Sequence, residues 1–216
     1  VNGGKKIIPS FIDRVQDRRG NTIFKTDSRS CDLCNFNKNI DEKKIPNIQD
    51  SREEITDPGS AYQMVSMLRG AVTRGTGKLV NKLNKTLAGK TGTTNNNTDA
   101  WFIGFSSDLV VGVYVGFDQP MTLGYKETGS SVSAPIFKEF MKNALFNKPS
   151  IPFRIPPVIR LVRVHAETGR LARPGDRRII LEAFKPGTVP KGQIQVLDGS
   201  EDRIKSAPSP GVSGLY

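Results

Sequence analysis

Apolar residues recur at helical spacing in two stretches of this 216-residue chain. Over residues 60–74 they fall three and four positions apart, which predicts a helix with one buried stripe. That stripe comprises Ala61, Met64, Val65, Leu68, Ala71 and Val72. A second helix is predicted to begin at Ser133, which would act as its cap, with Pro135 in the first turn. Its buried stripe is expected to consist of Phe137, Phe140, Met141 and Ala144.

The first sixty residues divide into a strand-like stretch and a polar one. Residues 5–26 place apolar side chains on both sides of a turn at 17–20, which predicts a β-hairpin. Residues 27–59 are polar and irregular, and we expect them to form a long exposed loop. This loop holds both cysteines, Cys31 and Cys34. A local disulfide is favoured in an oxidising compartment, and free thiols or a metal or redox pair are the alternatives.

Three successive strands are predicted in the middle of the chain, at residues 87–94, 100–105 and 109–117. In the last strand the odd positions are apolar. The even positions include two glycines and make a face that is flat enough to lie under a helix. Trp101, in the second strand, is expected to pack in the core. We interpret the three strands as a β-meander.

A cluster of prolines follows residue 148 and marks a boundary in the chain. We therefore divide the chain into one domain portion over residues 1–148 and an extension over residues 149–216. Within the extension, alternation over 158–165 and an apolar run at 179–181 predict a small β-element. The end of the extension, residues 199–216, is rich in serine, proline and glycine and is expected to be disordered.

The net charge of +11 raises the question of a polyanionic partner. The basic residues are scattered and include no nucleic-acid-binding motif, so a generally basic surface is favoured over nucleic-acid binding. No apolar run is long enough to span a membrane, and a start on Val1 is typical of a fragment or a processed piece. His165 and two cysteines are too few for a zinc site with four ligands, and no metal or cofactor is expected.

The densest group of chemically capable side chains lies in residues 87–94, Leu-Ala-Gly-Lys-Thr-Gly-Thr-Thr. On a strand, Lys90 and Gly92 share one face of the sheet. The hydroxyls of Thr91 and Thr93 reach the same cleft as Lys90 only if the cleft follows a twisted strand edge. Gly92 has no side chain, so a ligand or another backbone can approach it. A cation, hydroxyls and bare peptide N–H groups along one edge suit a ligand that ends in a carboxylate.

Four short segments around these residues form a recognisable pattern: GTG at 75–77, AGKTGTT at 88–94, DAWF at 99–102 and VGFDQP at 115–120. They resemble the end of the transpeptidase domain of class A penicillin-binding proteins, the 1A type in particular. Lys-Thr-Gly is the third motif of the penicillin-binding protein and serine β-lactamase group, after S-x-x-K and S-x-N. The resemblance runs to about residue 190. It implies an α/β (α+β) transpeptidase fold, with helices flanking an antiparallel sheet, that is incomplete in this chain.

This resemblance also implies an activity, a serine-type D-alanyl-D-alanine transpeptidase that cross-links peptidoglycan peptide stems and is acylated by β-lactams. At the matching positions, Lys90 would supply positive potential and proton-network support beside the nucleophile. The hydroxyls of Thr91 and Thr93 would hold the substrate carboxylate. The backbone N–H of Thr93 would be an oxyanion donor, and Gly92 would let the donor peptide lie along the strand edge. Lys90 and Thr93 are thus the catalytic candidates.

The nucleophile of such an enzyme is missing, since the chain contains neither S-x-x-K nor S-x-N. The nearest match, at 66–69, ends in arginine, which cannot act as a base. We expect this chain to be inactive alone, with the serine, a glycosyltransferase domain and a membrane anchor upstream, on the periplasmic side of the bacterial inner membrane. Uncovered sheet surface should make the isolated chain aggregation-prone. The alternatives are a non-catalytic basic module that binds the cell wall or another polyanion, and a degenerate or split-gene remnant.

Overall fold

A computed structural model describes residues 2–27, 50 and 52–191. The cysteine pair and the tail expected to be disordered lie outside these residues. The helices and strands are β1 (Arg14–Gln16), β2 (Thr22–Lys25), α1 (Pro58–Thr73), α2 (Lys78–Asn81), β3 (Ala88–Thr93), β4 (Asp99–Phe105), β5 (Val110–Gly116), α3 (Ala134–Ala144), β6 (Arg160–His165) and β7 (Ile179–Phe184). In the described ranges the strands form three antiparallel sheets, β1–β2, β3–β4–β5 and β6–β7. The predicted architecture, an antiparallel sheet flanked by helices, is confirmed.

The central sheet β3–β4–β5 carries the main core on the face that α3 covers. Pairing places Thr91 opposite Phe102 and Phe102 opposite Val113, so these three side chains share that face. The rings of Phe102 and Phe137 are fully buried, with their centroids 4.6 Å apart. The buried cluster consists of Val72, Val80, Leu87, Phe102, Ala134, Phe137, Met141 and Leu145. Helix α3 therefore packs against β4 and β5.

The opposite face of the central sheet is open to solvent over much of its area, contrary to the expectation that the glycine-bearing face of β5 lies under a helix. Val110 and Tyr114 on this face are 69 % and 50 % exposed. Trp101, which was expected in the core, lies on the same face and is 40 % exposed. The alternation in the sequence was read correctly, but α3 covers the odd positions of β5 rather than the even ones.

Both predicted helices are present, with differences at their ends and in their buried stripes. Helix α1 begins at Pro58, because the Asp57 side chain accepts the N–H of Ser60 at 2.9 Å and caps it there. In α1, Met64 is 54 % exposed, and in α3, Phe140 is 51 % exposed, so neither belongs to the core as predicted. These side chains lie at the margin of each apolar stripe, where helical spacing does not decide burial.

The predicted cap Ser133 does not cap α3. One π-helical turn, Gly129–Ser133, leads directly into the helix, and the capping side chain at its start is that of Thr128. Ser133 has helical backbone angles, and its buried Oγ instead donates to the carbonyl of Ala100 in β4 at 2.8 Å. This hydrogen bond ties the start of α3 to the central sheet.

The hairpin β1–β2 is shorter than predicted. Residues 7–12 lie outside the strands, and their apolar side chains are exposed. Pro9 in this stretch has no N–H for a strand ladder. The small β-element predicted in the extension is present as the antiparallel hairpin β6–β7. Nowhere in the described ranges is there a helix long and apolar enough to cross a membrane.

The hairpin β6–β7 packs against α1 through polar contacts along the length of the helix. Near its first turns, Gln63 donates through Nε2 to the carbonyl of Ala183 at 3.0 Å. Just beyond the end of the helix, Arg74 forms a 2.8 Å ion pair with Glu182. Since α1 also packs against β3, through Val65 and Ala88 among others, the hairpin supports the central sheet indirectly.

Candidate functional site

Strand β3 brings the four predicted site residues together, on an edge that no other strand pairs within the described residues. Lys90 is opposite Ile103 and Thr91 is opposite Phe102, so the lysine and the threonines project from different faces, as alternation predicts. Lys90 and Thr93 are exposed, whereas Thr91 and Gly92 are half-buried. The site is therefore a strand edge with different side chains above and below it.

The edge itself presents peptide groups of β3. The N–H of Thr94 donates inward, to the carbonyl of Asp99, at 3.1 Å. Because successive N–H groups in a strand point in opposite directions, the N–H of Thr93 points to the open edge. Lys90 bends to this edge, where its Nζ donates to the carbonyl of Thr91 at 3.1 Å and lies 3.5 Å from Thr91 Oγ1. Lys90 and Thr91 thus come together along the strand edge. The sequence analysis required such an edge if the two side chains were to reach one cleft.

Both threonine hydroxyls are held on the covered side of the sheet by residues that the sequence analysis did not select as site residues. Thr91 Oγ1 lies 2.8 Å from the hydroxyl of Thr76, in the turn between α1 and α2. Thr93 Oγ1 accepts the backbone N–H of Gly129 at 3.0 Å. Ser130 donates through Oγ to the carbonyl of Thr76 at 2.6 Å. A single network therefore connects two turns of the chain to β3.

Close approach explains the glycine at position 129. A Cβ placed there would lie 2.7 Å from the carbonyl oxygen of Gly92 and 3.1 Å from Thr91 Cβ. Any side chain would therefore push the turn away from β3 and break the hydrogen bond to Thr93. The sequence signal for this contact is the glycine itself, which stands in a segment rich in glycine and serine.

Two aromatic side chains, Trp101 and Tyr114, lie on the same exposed face of the sheet as Lys90. Trp101 lies beside Gly92, where an added Cβ would come 3.2 Å from Trp101 Cβ. The Trp101 and Tyr114 rings are 4.7 Å apart between centroids. Tyr114 donates to the carboxylate of Asp99 at 2.8 Å, and this hydrogen bond raises the pKa of the Tyr114 phenol. Gly92 is thus bounded by Trp101 on this face and remains open along the strand edge.

At the edge of β3, the described residues bring no serine and lysine together. A serine–lysine contact does exist elsewhere among them, between Ser60 Oγ and Lys185 Nζ at 2.5 Å, but it lies at the start of α1, where Lys185 also binds Asp57. Within these ranges, Lys90 forms hydrogen bonds only to Thr91. Ser130, the serine bound into the site network, donates to a backbone carbonyl and has no lysine partner. The described ranges likewise contain no group of three or more histidine, cysteine, aspartate or glutamate side chains that could hold a metal ion.

The arrangement of an exposed lysine, two tethered threonines and an open strand edge agrees with the family whose sequence profile fits this chain. The profile described as the penicillin binding protein transpeptidase domain matches residues 1–142. This chain belongs to the penicillin-binding protein transpeptidase family. The resemblance to the 1A type is also confirmed, because the relatives described next carry that name.

Two relatives and one solved structure define the extent of the similarity. Penicillin-binding protein 1A of Rickettsia conorii is 44 % identical over 190 residues, which is 88 % of this chain and 24 % of that protein. Penicillin-binding protein 1A of Pseudomonas aeruginosa is 34 % identical over 229 residues, 93 % of this chain and 28 % of that protein. The crystal structure of penicillin-binding protein 1A from Haemophilus influenzae matches with a TM-score of 0.68 and 27 % identity, over 88 % of this chain and 31 % of that one. The chain thus spans about a quarter to a third of these relatives.

Proposed function

We propose that this chain supplies one wall of the active site of a serine-type D-alanyl-D-alanine transpeptidase that cross-links peptide stems in peptidoglycan. The observation that carries this proposal is the open edge of β3, where the ammonium of Lys90 and the hydroxyls of Thr91 and Thr93 lie within one short segment. Cations and hydroxyl donors in this arrangement bind carboxylates. The donor stem of such an enzyme ends in a carboxylate, and β-lactams carry one as well.

Each residue of the edge then has a role in the reaction. Thr91 and Thr93 would hold the terminal carboxylate, and Lys90 would add positive potential and support proton transfer beside the serine. The N–H of Thr93, on the open edge, would donate to the oxyanion formed when the serine attacks the peptide carbonyl. Gly92 would let the donor stem lie against the strand as an added strand.

The serine itself would come from outside these 216 residues, so the isolated chain is inactive in this proposal. The protein that contains it would also carry the glycosyltransferase and would act on the periplasmic side of the bacterial inner membrane. Residues 1–148 would belong to the transpeptidase domain and residues 149–216 to an extension of it. Peptide stems and β-lactams would be its ligands, with no cofactor and no nucleic acid.

Covalent labelling with a fluorescent penicillin tests the proposal. The chain alone should give no labelled band on a denaturing gel, whereas the longer protein that supplies the serine should give one. Lys90→Ala in the longer protein should slow labelling by about a hundredfold or more, in the range found when a proton-transfer group is removed. Lys142→Ala is the matched control, since among the described residues this lysine forms only an exposed ion pair, with Glu139 at 3.2 Å.

The other outcomes of this experiment are equally informative. A band from the chain alone would show that it contains a nucleophile and would contradict the assignment of the edge. Failure of the longer protein to label would favour the non-catalytic alternative, a basic module that binds the cell wall or another polyanion.

A further inference from the structure

Thr76 is held in place at two points. It lies in the turn between α1 and α2, and its carbonyl accepts the Ser130 hydroxyl at 2.6 Å. Its own Oγ1 lies 2.8 Å from Thr91 Oγ1. The backbone of Thr76 is therefore fixed by one hydrogen bond while its side chain is directed at a residue of the strand edge.

The direction of the proton between Thr76 and Thr91 decides what Thr91 can offer to a ligand. A threonine hydroxyl has one proton and two lone pairs. If Thr91 donated to Thr76, it would have no proton left for an anion at the edge. If Thr76 donates, the Thr91 proton is free. Lys90 Nζ, 3.5 Å from Thr91 Oγ1, can only donate, so it takes one of the two lone pairs of this oxygen and leaves the other for the proton of Thr76.

Thr93 Oγ1 also acts as a hydrogen-bond acceptor, but its donor is a backbone N–H. The N–H of Gly129 can only donate, and it occupies a lone pair of Thr93 Oγ1 at 3.0 Å. The Thr93 proton is therefore free to point elsewhere. Two hydroxyls of β3 would then be left with their protons available, a pattern that suits an acceptor-only group such as a carboxylate.

We propose that Thr76 is a positioning residue, which donates its hydroxyl proton to Thr91 and so leaves Thr91 and Thr93 as paired O–H donors for a ligand carboxylate. This inference rests on the proposed function and adds to it a residue that does not touch the ligand. Thr76 acts only through Thr91. Its effect therefore depends on whether the ligand has a carboxylate to receive the proton.

The test uses the longer protein that supplies the serine and compares a penicillin that has a free carboxylate with the methyl ester of the same penicillin. Thr76→Val removes the donor and keeps the side-chain shape, while the backbone bond from Ser130 remains. We expect the second-order rate constant of labelling by the free acid to fall about tenfold. Without Thr76 Oγ1 the Thr91 hydroxyl is no longer held with its proton toward the ligand, which weakens one hydrogen bond to a charged group. Labelling by the ester should change by less than about twofold.

Two further variants separate positioning from a general loss of structure. Thr76→Ser restores the hydroxyl and should label with the free acid within about twofold of the wild type, as expected when the donor is retained. Thr188→Val removes a threonine hydroxyl that donates to the carbonyl of Lys185 at 2.9 Å, in the turn after β7, and should leave both rate constants unchanged.

Each result bears on the inference. It is overturned if Thr76→Val labels with the free acid as fast as the wild type, if it loses the same factor with both probes, or if Thr76→Ser is as slow as Thr76→Val. Failure of the wild-type protein to label with either probe would overturn the proposed function and this inference together. A labelled wild type with an unaffected Thr76→Val would overturn the inference alone.

Discussion

Lys185 Nζ lies 2.9 Å from Asp57 Oδ2, so a lysine in the segment after β7 forms an ion pair with the residue that caps helix α1. The other carboxylate oxygen of Asp57 accepts the N–H of Ser60 at 2.9 Å. Both contacts favour the ionised carboxylate. Because α1 packs against β3, a residue more than a hundred positions away helps to fix the helix that supports the candidate site.

We expect Asp57→Ala to lower the melting temperature of the chain more than Asp57→Asn does. Asparagine still caps a helix but cannot pair with Lys185, whereas alanine can do neither. Lys185→Met should lower the melting temperature at least as much as Asp57→Asn does, because it removes the same ion pair and also the hydrogen bond from Lys185 to Ser60. Thermal unfolding followed by circular dichroism checks this order, and equal melting of Asp57→Ala and Asp57→Asn would show that the cap contributes nothing.

The turn between β6 and β7 should loosen in acid. Arg170 binds both carboxylate oxygens of Asp176, at 2.8 and 2.7 Å, and together with the N–H of Arg173 it lowers the pKa of Asp176 to about 2. The folded turn then binds fewer protons than the unfolded one. Its stabilisation is therefore complete above the ordinary pKa of about 4 and disappears as the pH falls from about 4 to about 2.

Hydrogen exchange of the amides between 165 and 179 measures this effect directly. Protection should fall through that pH window in the wild type. Asp176→Asn should be less protected at neutral pH, with no comparable change across the window. Protection in the wild type that stays constant down to pH 2 would contradict the role of the ion pair.

The two phenylalanines of α3 should differ widely in their effect on stability. Phe137 is fully buried against Phe102, so Phe137→Ala should lower the free energy of unfolding by about 3–5 kcal/mol. Phe140, three residues later, is 51 % exposed, and Phe140→Ala should cost less than about 1 kcal/mol. Urea unfolding of the chain measures both values, and similar losses would mean that both rings belong to the core.

Gly129→Ala should destabilise the chain by about 1–3 kcal/mol, because a methyl group there collides with backbone and the turn must shift away from β3. The matched control is Gly112→Ala in β5, where an added Cβ would meet only Ile103 Cγ1, at 3.9 Å. Urea unfolding of both variants provides the comparison. A Gly129→Ala chain as stable as the control would show that the turn moves at no cost.

The periodicity of the sequence predicted which residues share a face but not which face is covered. The strands of the central sheet and their alternation follow from local spacing, and both were predicted correctly. Burial of Trp101 was predicted wrongly, because it depends on where α3 packs, and α3 begins more than thirty residues later. A pattern within one strand carries no information about such a distant helix.

In the candidate site, too, some features could be predicted from the sequence and others could not. The placement of Lys90 and the two threonines on opposite faces follows from alternation, and it stands in the structure. The tethers of the threonines come from Thr76 and from the turn at Gly129, which are distant in sequence from β3. Short motifs therefore identified the strand, whereas only the folded chain shows what holds its hydroxyls.

The open face of the central sheet gives this protein an internal optical reporter. Trp101 is the single tryptophan of the chain, and it lies 40 % exposed beside the ring of Tyr114. Its emission will therefore report the polarity of this one surface. Any polypeptide that covers the sheet removes water from the indole and moves the emission to shorter wavelength, so that completion of the domain can be followed without an added dye.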